Sequence, residues 1–337
     1  MNKTKKLLLV TSTILLLTGC TKYKKYDKEA VVIESTGQRV VENILCKTEQ
    51  TEKEYNIIKE KEKQELDEKL ANAEISQEDY DSKLEELNAA FNIDDVAQCS
   101  EFKIFSGNDG LWTTLFVKSL AWLIVQIGSI TKNYGWSIII VTLLIRLALF
   151  PVTKKTAMQS ENIKAAQPKL NRLEEKYRNR NDQESQMMKA QEMMKIYKDY
   201  NINPMSGCLF AFIQIPLFFA FYEALYRLPV VLEETFFGIN LGINPATAFS
   251  NGQYYYAIFV VLVILATYFS FKLNSTMNTE GAQGQQMKMM TNMSVIMISI
   301  ASFTISTGIA LYWIVNSSFT IVQNLLVKRS KKNDHIA

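Results

Sequence analysis

Apolar and polar positions in this chain are sorted into long blocks, and the apolar ones lie near 111–130, 134–152, 205–226, 253–272 and 289–327. A helix needs about 20 residues to cross a bilayer, so the last block is too long for one crossing. Gly308, with Ser306 and Thr307 beside it, predicts a turn that divides it into 289–304 and 307–327. Residues 111–131 are interrupted by Lys118 and follow a polar region, which predicts an amphipathic helix along the outer interface. Five spans remain, at 132–152, 204–226, 253–272, 289–304 and 307–327. The polar blocks are helical as well. Tyr80, Leu84, Leu87 and Phe91 fall on one helical face, Ser76 ahead of Asp79 supplies an N-cap, and a turn near Ala71 to Ile75 completes a hairpin over 48–92. In 153–203, Ile163, Ala166, Leu170, Leu173 and Tyr177 make one face and Met187, Ala190, Met194 and Tyr197 another, separated by the polar run from Arg178 to Asp182. That predicts a second hairpin. Its methionines suit contact between the arms, the commoner use, or a surface that meets varied apolar partners. The fold class is therefore an all-α polytopic membrane protein.

Charge orients these blocks. The chain starts with Lys3, Lys5 and Lys6, continues with an apolar run from Leu7 to Leu17 and reaches Leu17-Thr18-Gly19-Cys20. This is the pattern of a lipoprotein signal peptide over 1–19, with lipid attachment at Cys20; an uncleaved helix is the alternative. Residues 153–203 carry eleven Lys or Arg against seven Asp or Glu, and the tail 328–337 adds Lys328, Arg329, Lys331 and Lys332 against Asp334. Both belong in the cytoplasm by the positive-inside rule. Residues 21–110 carry thirteen basic and twenty-two acidic residues, so the region 20–110 belongs outside, as does the loop 227–252. Five spans with the amino end outside and the carboxyl end inside satisfy both signals. The loop 273–288 is cytoplasmic and rich in Gln and Gly. Cys46 and Cys99 flank the outer hairpin, where antiparallel helices of similar length bring such positions together; a disulfide and two free thiols are equally open.

One residue breaks the apolar pattern. Arg146 lies eight residues before Lys154, about 12 Å inside the inner boundary at a 1.5 Å rise per residue. An arginine at a helix centre costs roughly 2.5–3.5 kcal/mol to insert, and it cannot shed its proton. Glu223 is the only acid within the five predicted spans, but it stands near the outer end of the second, about 15 Å higher. Thr142 is one turn before Arg146, Gln214 is midway along the second span, and Asn316, Thr320 and Gln323 form a stripe on the fifth. These polar groups favour a wet groove open to the cytoplasm over private helix-to-helix hydrogen bonds.

Several motifs share one order and spacing. They are Tyr134-Gly135 through Arg146 to Phe150-Pro151; Gln167-Pro168-Lys169-Leu170; Asn203-Pro204 with Gly207-Cys208; Ile213-Gln214-Ile215-Pro216-Leu217-Phe218 with Tyr222; and Gly308 with Leu311-Tyr312-Trp313, Asn316 and Gln323. Together they resemble the YidC/Oxa/Alb family of membrane-protein insertases, over about 111–327. The resemblance implies five transmembrane helices around a hydrophilic groove open to the cytoplasm and lipid, with Arg146 as its arginine. It also implies nascent membrane proteins as partners, with the Sec translocon or ribosome alongside, no nucleotide hydrolysis, no cofactor and no readout of nucleic-acid sequence. Phe210, Ser294 and Ser306 stand where prolines are usual, which bears on helix bends and on the fourth-to-fifth turn.

Other function classes fit less well. A transporter or anion channel would use Arg146 as a binding charge, yet an odd number of spans without an inverted repeat argues against it. An intramembrane enzyme lacks parts: His335 is the sole histidine and lies in the tail, no aspartate lies in a span, and there is no phosphate-binding glycine loop. A passive lipoprotein scaffold would make the outer hairpin the working part.

Overall fold

The computed structural model describes residues 25–26, 29–33, 36, 38–106, 109–180, 182–203, 206–274 and 282–334. The signal segment, Cys20 and much of the loop 273–288 lie outside them. Helices dominate: α1 (Glu49–Ala71), α2 (Gln77–Ala90), α3 (Lys118–Thr131), α4 (Tyr134–Lys176), α5 (Gln183–Asp199), α6 (Ser206–Tyr226), α7 (Pro229–Leu232), α8 (Pro245–Ser250), α9 (Ala257–Asn274), α10 (Ala282–Ala301) and α11 (Thr307–Asp334). The strands are two-residue pairs: β1 (Lys25–Tyr26) with β2 (Glu29–Ala30), β3 (Val32–Ile33) with β4 (Gln38–Arg39), and β5 (Thr235–Phe236) with β6 (Ile239–Asn240), each antiparallel. Among the described residues, four helical stretches are long and apolar enough to cross a membrane: Thr113–Thr131, Tyr134–Lys176, Tyr254–Leu273 and Thr307–Ser330. Ile213–Tyr226 and Thr291–Ala301 are shorter apolar helices.

The chain divides into two compact units. The first holds the residues up to Val141, Pro216–Tyr256 and Thr304–Leu311. It includes the hairpin α1–α2. Thr48 caps α1, its side chain accepting from Thr51 N while the Thr51 hydroxyl accepts from Thr48 N; Ser76 caps α2 by accepting from Asp79 N. Each cap satisfies an amide that a helix start leaves without an intrahelical partner. Ala73, at φ 59°, reverses the chain between the arms. Val31, Val40, Tyr55, Leu66, Leu87, Phe91 and Ile93 form the core, with the Tyr55 and Phe91 rings edge to face at 5.8 Å. Cys46 and Cys99 are joined by a disulfide with their Cα atoms 4.7 Å apart, and Lys47 bridges to Gln98 beside it.

The hairpin region is fastened to the loop after α6. Leu45 N donates to Arg227 O at 2.9 Å, Arg227 Nε to Asn43 O at 2.6 Å, and the hydroxyls of Thr48 and Thr51 to Glu233 at 2.7–2.8 Å. A π-helical turn, Thr113–Val117, leads into α3, whose buried face is Leu120, Ala121, Ile124, Val125 and Gly128. Lys118 is buried too, paired with Asp109 and bonded to Ser106 O. The start of α11 is held by the same loop: Thr307 N and its hydroxyl donate to Ile243 O, and Gly308 N donates to Leu241 O at 2.7 Å. The break between the last two apolar helices falls at 302–306, and Gly308 lies inside α11. Its lack of a side chain serves close approach, since a Cβ there would stand 3.3 Å from Leu241 O.

The second unit holds Thr142–Ile215, Ala257–Phe303 and the chain from Tyr312 onward. No break in secondary structure separates the span expected to end at 152 from the first hairpin arm, since α4 runs unbroken from Tyr134 to Lys176 with Pro151 and Pro168 inside it. A 43-residue helix is about 65 Å long, roughly twice the hydrocarbon thickness. The second arm, α5, starts with the Asp182 carboxylate accepting from Ser185 N at 2.8 Å. Lys189–Glu174 and Lys176–Glu192 pairs and a Tyr177 hydroxyl bond to Glu192 join the arms. Met187 and Met194 are mostly exposed, so the methionine stripe is not the surface that packs the hairpin.

Candidate functional site

Helix α4 has a polar inner face. Thr142, Arg146 and Thr153 are buried at spacings of four and seven, while Leu143, Leu144 and Leu147 are exposed. In a bilayer the lipid takes the place of water at those leucines, and intramembrane polar groups turn inward. Helix α11 repeats the arrangement, with Asn316, Thr320 and Gln323 buried and Val322, Leu325 and Leu326 exposed. The two faces meet. Arg146 Nε donates to Asn316 Oδ1 at 2.6 Å, and the Thr153 hydroxyl donates to Gln323 Oε1 at 3.2 Å. Both contacts join residues 170 apart in sequence, two turns along each helix, so α4 and α11 run parallel here.

From α6, Gln214 Oε1 accepts from Arg146 Nη2 at 2.8 Å. The guanidinium is thus gripped by two side-chain amides and is only 2% exposed. None of the ion pairs among the described residues includes it. Glu223 is engaged elsewhere, by Arg227 at 2.9 Å and by the Trp112 indole at 3.2 Å. Hydrogen bonds to a charged group contribute roughly 1.5–3 kcal/mol each. Two of them offset the cost of inserting the arginine without cancelling its charge.

Of the residues singled out from sequence, Arg146, Gln214 and Asn316 are joined directly and Gln323 sits two turns along the same interface. Thr142 is buried one turn before Arg146, and the Thr320 hydroxyl bonds back to Asn316 O at 3.1 Å. Thr153 and Tyr312 were not singled out as site residues. Tyr312 is buried beside Arg146 and Gln214. The four- and seven-residue spacing from Thr142 through Arg146 to Thr153 is the sequence signal that could have found Thr153.

The carboxyl-terminal two thirds of the chain match known proteins. The model of the 60Kd inner membrane protein family covers residues 126–334. Relatives include "Membrane protein insertase YidC" of Oceanobacillus iheyensis, 33% identical over 69% of this chain and 91% of that protein. "Membrane protein insertase YidC 2" of Bacillus anthracis is 36% identical over 69% of this chain and 88% of its own. The chain belongs to the YidC/Oxa/Alb family. "Membrane protein insertase MisCA" of Bacillus subtilis is 34% identical, over 69% and 86%. A crystal structure of an active YidC insertase with its first transmembrane domain resolved aligns at 23% identity and a TM-score of 0.47, covering 73% of this chain and 50% of that one. As a YidC/Oxa/Alb member with several apolar helices, the protein is an all-helical, multi-pass membrane protein. The family match takes in Arg146, Gln214, Asn316 and Gln323, and leaves out the disulfide-bearing outer hairpin.

Proposed function

We propose that this protein is a membrane-protein insertase, which receives newly made membrane proteins at the Arg146 cluster and passes their apolar segments to lipid. The observation that carries this reading is the guanidinium held inside an apolar helix by the amides of Gln214 and Asn316. Neutral partners can be exchanged. A substrate backbone carbonyl that takes over one of these bonds makes one of the same kind, from a charged donor to a neutral oxygen, while a substrate carboxylate makes a pair charged on both sides. Arg146 is buried in this structure, so a substrate reaches it only as these contacts part.

Unsatisfied polar groups cost several kcal/mol each in hydrocarbon, and the polar face of α4 and α11 lowers that cost for a polar tail in transit. Burial of the substrate's apolar segment then drives release into lipid, and the membrane potential adds about 2.3 kcal/mol per elementary charge per 100 mV for acidic tails. No nucleotide hydrolysis or catalysis is required. The protein works alone or beside the Sec translocon and at the ribosome, anchored by lipid on Cys20, with its amino end outside and its carboxyl end in the cytoplasm. The exposed methionines of α5, Met187 and Met194, suit first contact with apolar segments of varied shape.

The test is insertion of a small, single-span substrate with an acidic tail into vesicles holding the purified chain. Native protein inserts it, and Arg146→Ala lowers the yield at least tenfold. Equal yields from both would remove the arginine from the mechanism.

A further inference from the structure

At the amino-terminal end of α4 the turn joining β5 to β6 carries an aromatic residue where turn chemistry disfavours one. Strand partners Phe236 and Ile239 leave a two-residue turn of Phe237 and Gly238, both with positive φ, 50° and 79°. Tight hairpin turns of this kind favour Asn, Asp or Gly at the first position, and a bulky side chain at positive φ is an outlier. Yet Phe237 gains no burial from the strain, being 81% exposed.

The rest of the hairpin is built to hold that ring in place. Asn133 Nδ2 donates to Thr235 O at 3.2 Å, and Tyr134 N donates to Glu234 Oε2 at 2.9 Å, which fixes the hairpin to the first turn of α4. Gly135 leaves room for the Phe236 ring, which a Cβ there would strike. Trp136, itself 46% exposed, lies edge-on to Phe236 at 5.5 Å and to Phe237 at 6.2 Å, and the two phenylalanines are 4.5 Å apart. A rigid aromatic cluster therefore sits at the end of a membrane-crossing helix with two of its rings uncovered.

We propose that Phe237 is a lipid anchor, inserted with Trp136 into the interfacial layer of the bilayer leaflet at the amino-terminal end of α4. The occupant follows from continuity. Helix α4 is long and apolar enough to cross a membrane, Leu143, Leu144 and Leu147 are exposed along it beyond Trp136, and Trp is a side chain enriched at the headgroup level. A strained, uncovered phenylalanine is stable there because the ring leaves water on insertion. The anchor fixes the height of the α4 amino end, and with it the depth of Arg146, ten residues beyond Trp136 on the same helix. It holds whichever way the chain is oriented and does not depend on the insertase reading.

The test places photoreactive benzoylphenylalanine at position 237 of the full chain in vesicles of phosphatidylglycerol and phosphatidylethanolamine. Irradiation should yield a phospholipid adduct on the 237 peptide, at least fivefold above the same photoresidue at Asn72 in the outer hairpin turn. Equal labelling at both sites, or adducts to protein alone, overturns the proposal. A Phe237→Trp chain gives a second measure. Lipids brominated near the headgroup should quench its added emission at least twice as strongly as lipids brominated at the chain ends. Absent or reversed quenching is the contrary result.

Discussion

The Arg146 guanidinium is held by amides and not by a carboxylate among the contacts described, and this makes its contribution to stability separable from its contribution to function. A buried charge held by neutral groups costs more in lost hydration than a well-packed apolar side chain of similar volume. Arg146→Met is therefore expected to leave the purified protein as stable as native or more so, by about 1–3 kcal/mol, while insertion fails. Thermal unfolding in detergent beside the vesicle assay reads both, and a loss of stability together with function would mark the arginine as structural. Glu233 shows the opposite balance outside the membrane. Burial raises its carboxyl above the usual carboxylate range, against the pull of the Thr48 and Thr51 hydroxyls. A raised native value means the folded state binds more protons than the unfolded state in the window just above the usual carboxylate range, so stability falls as pH rises through it. Glu233→Gln, which still accepts from both hydroxyls, should unfold with less dependence on pH between 4 and 7.5. Its gain at neutral pH should be under about 1 kcal/mol, since the group is half-buried and screened. Unfolding scans across that range decide it, and an unchanged slope would sink the assignment.

Among the elements, the outer hairpin depends most on a single bond. The Cys46–Cys99 bridge spans 53 residues, and closing a loop of that length removes about 4 kcal/mol of chain entropy from the unfolded state. Reduction, or Cys46→Ser with Cys99→Ser, should expose the hairpin to protease while the apolar helices stay resistant. Mass spectrometry of the fragments with and without reductant shows which parts are cut; a hairpin that resists as before would mean its core carries it. The hairpin was legible in sequence because its signals are local: a four-three-four apolar face, a serine ahead of a carboxylate and cysteines at the base. The continuity of α4 was less so. Polar residues after Pro151 look like a boundary, since an interior proline loses an amide donor and crowds the preceding turn at a cost of about 3 kcal/mol, yet α4 continues through both Pro151 and Pro168. The methionines of α5 were also misleading as packing residues, since ion pairs and the Tyr177 hydroxyl join the arms.

For the whole molecule, the positively charged regions predict an orientation that limited proteolysis can check. In sealed vesicles or right-side-out cells, trypsin should cut the tail after Val327 and the loop 153–203 from the same side, and the region 20–110 from the opposite side. Cleavage of the tail and the outer hairpin from one side would require an even number of crossings.

Sequence by itself determined the class of the protein and the candidate residues. Long apolar blocks force helices in lipid, where each backbone polar group must be satisfied within its own segment, and the cost of a lone arginine marks it for attention wherever it occurs. Helical periodicity placed Thr142, Arg146, Asn316, Thr320 and Gln323 on particular faces. Which faces meet was decided only in three dimensions. The equal offset of the Arg146–Asn316 and Thr153–Gln323 contacts, the approach of Gln214 and the engagement of Glu223 by Arg227 depend on how helices far apart in sequence pack. The same holds for Phe237, whose position next to Trp136 requires a glycine at 135 and two hydrogen bonds across about a hundred residues. Local patterns report what a segment prefers, and only packing selects among the partners that those preferences allow.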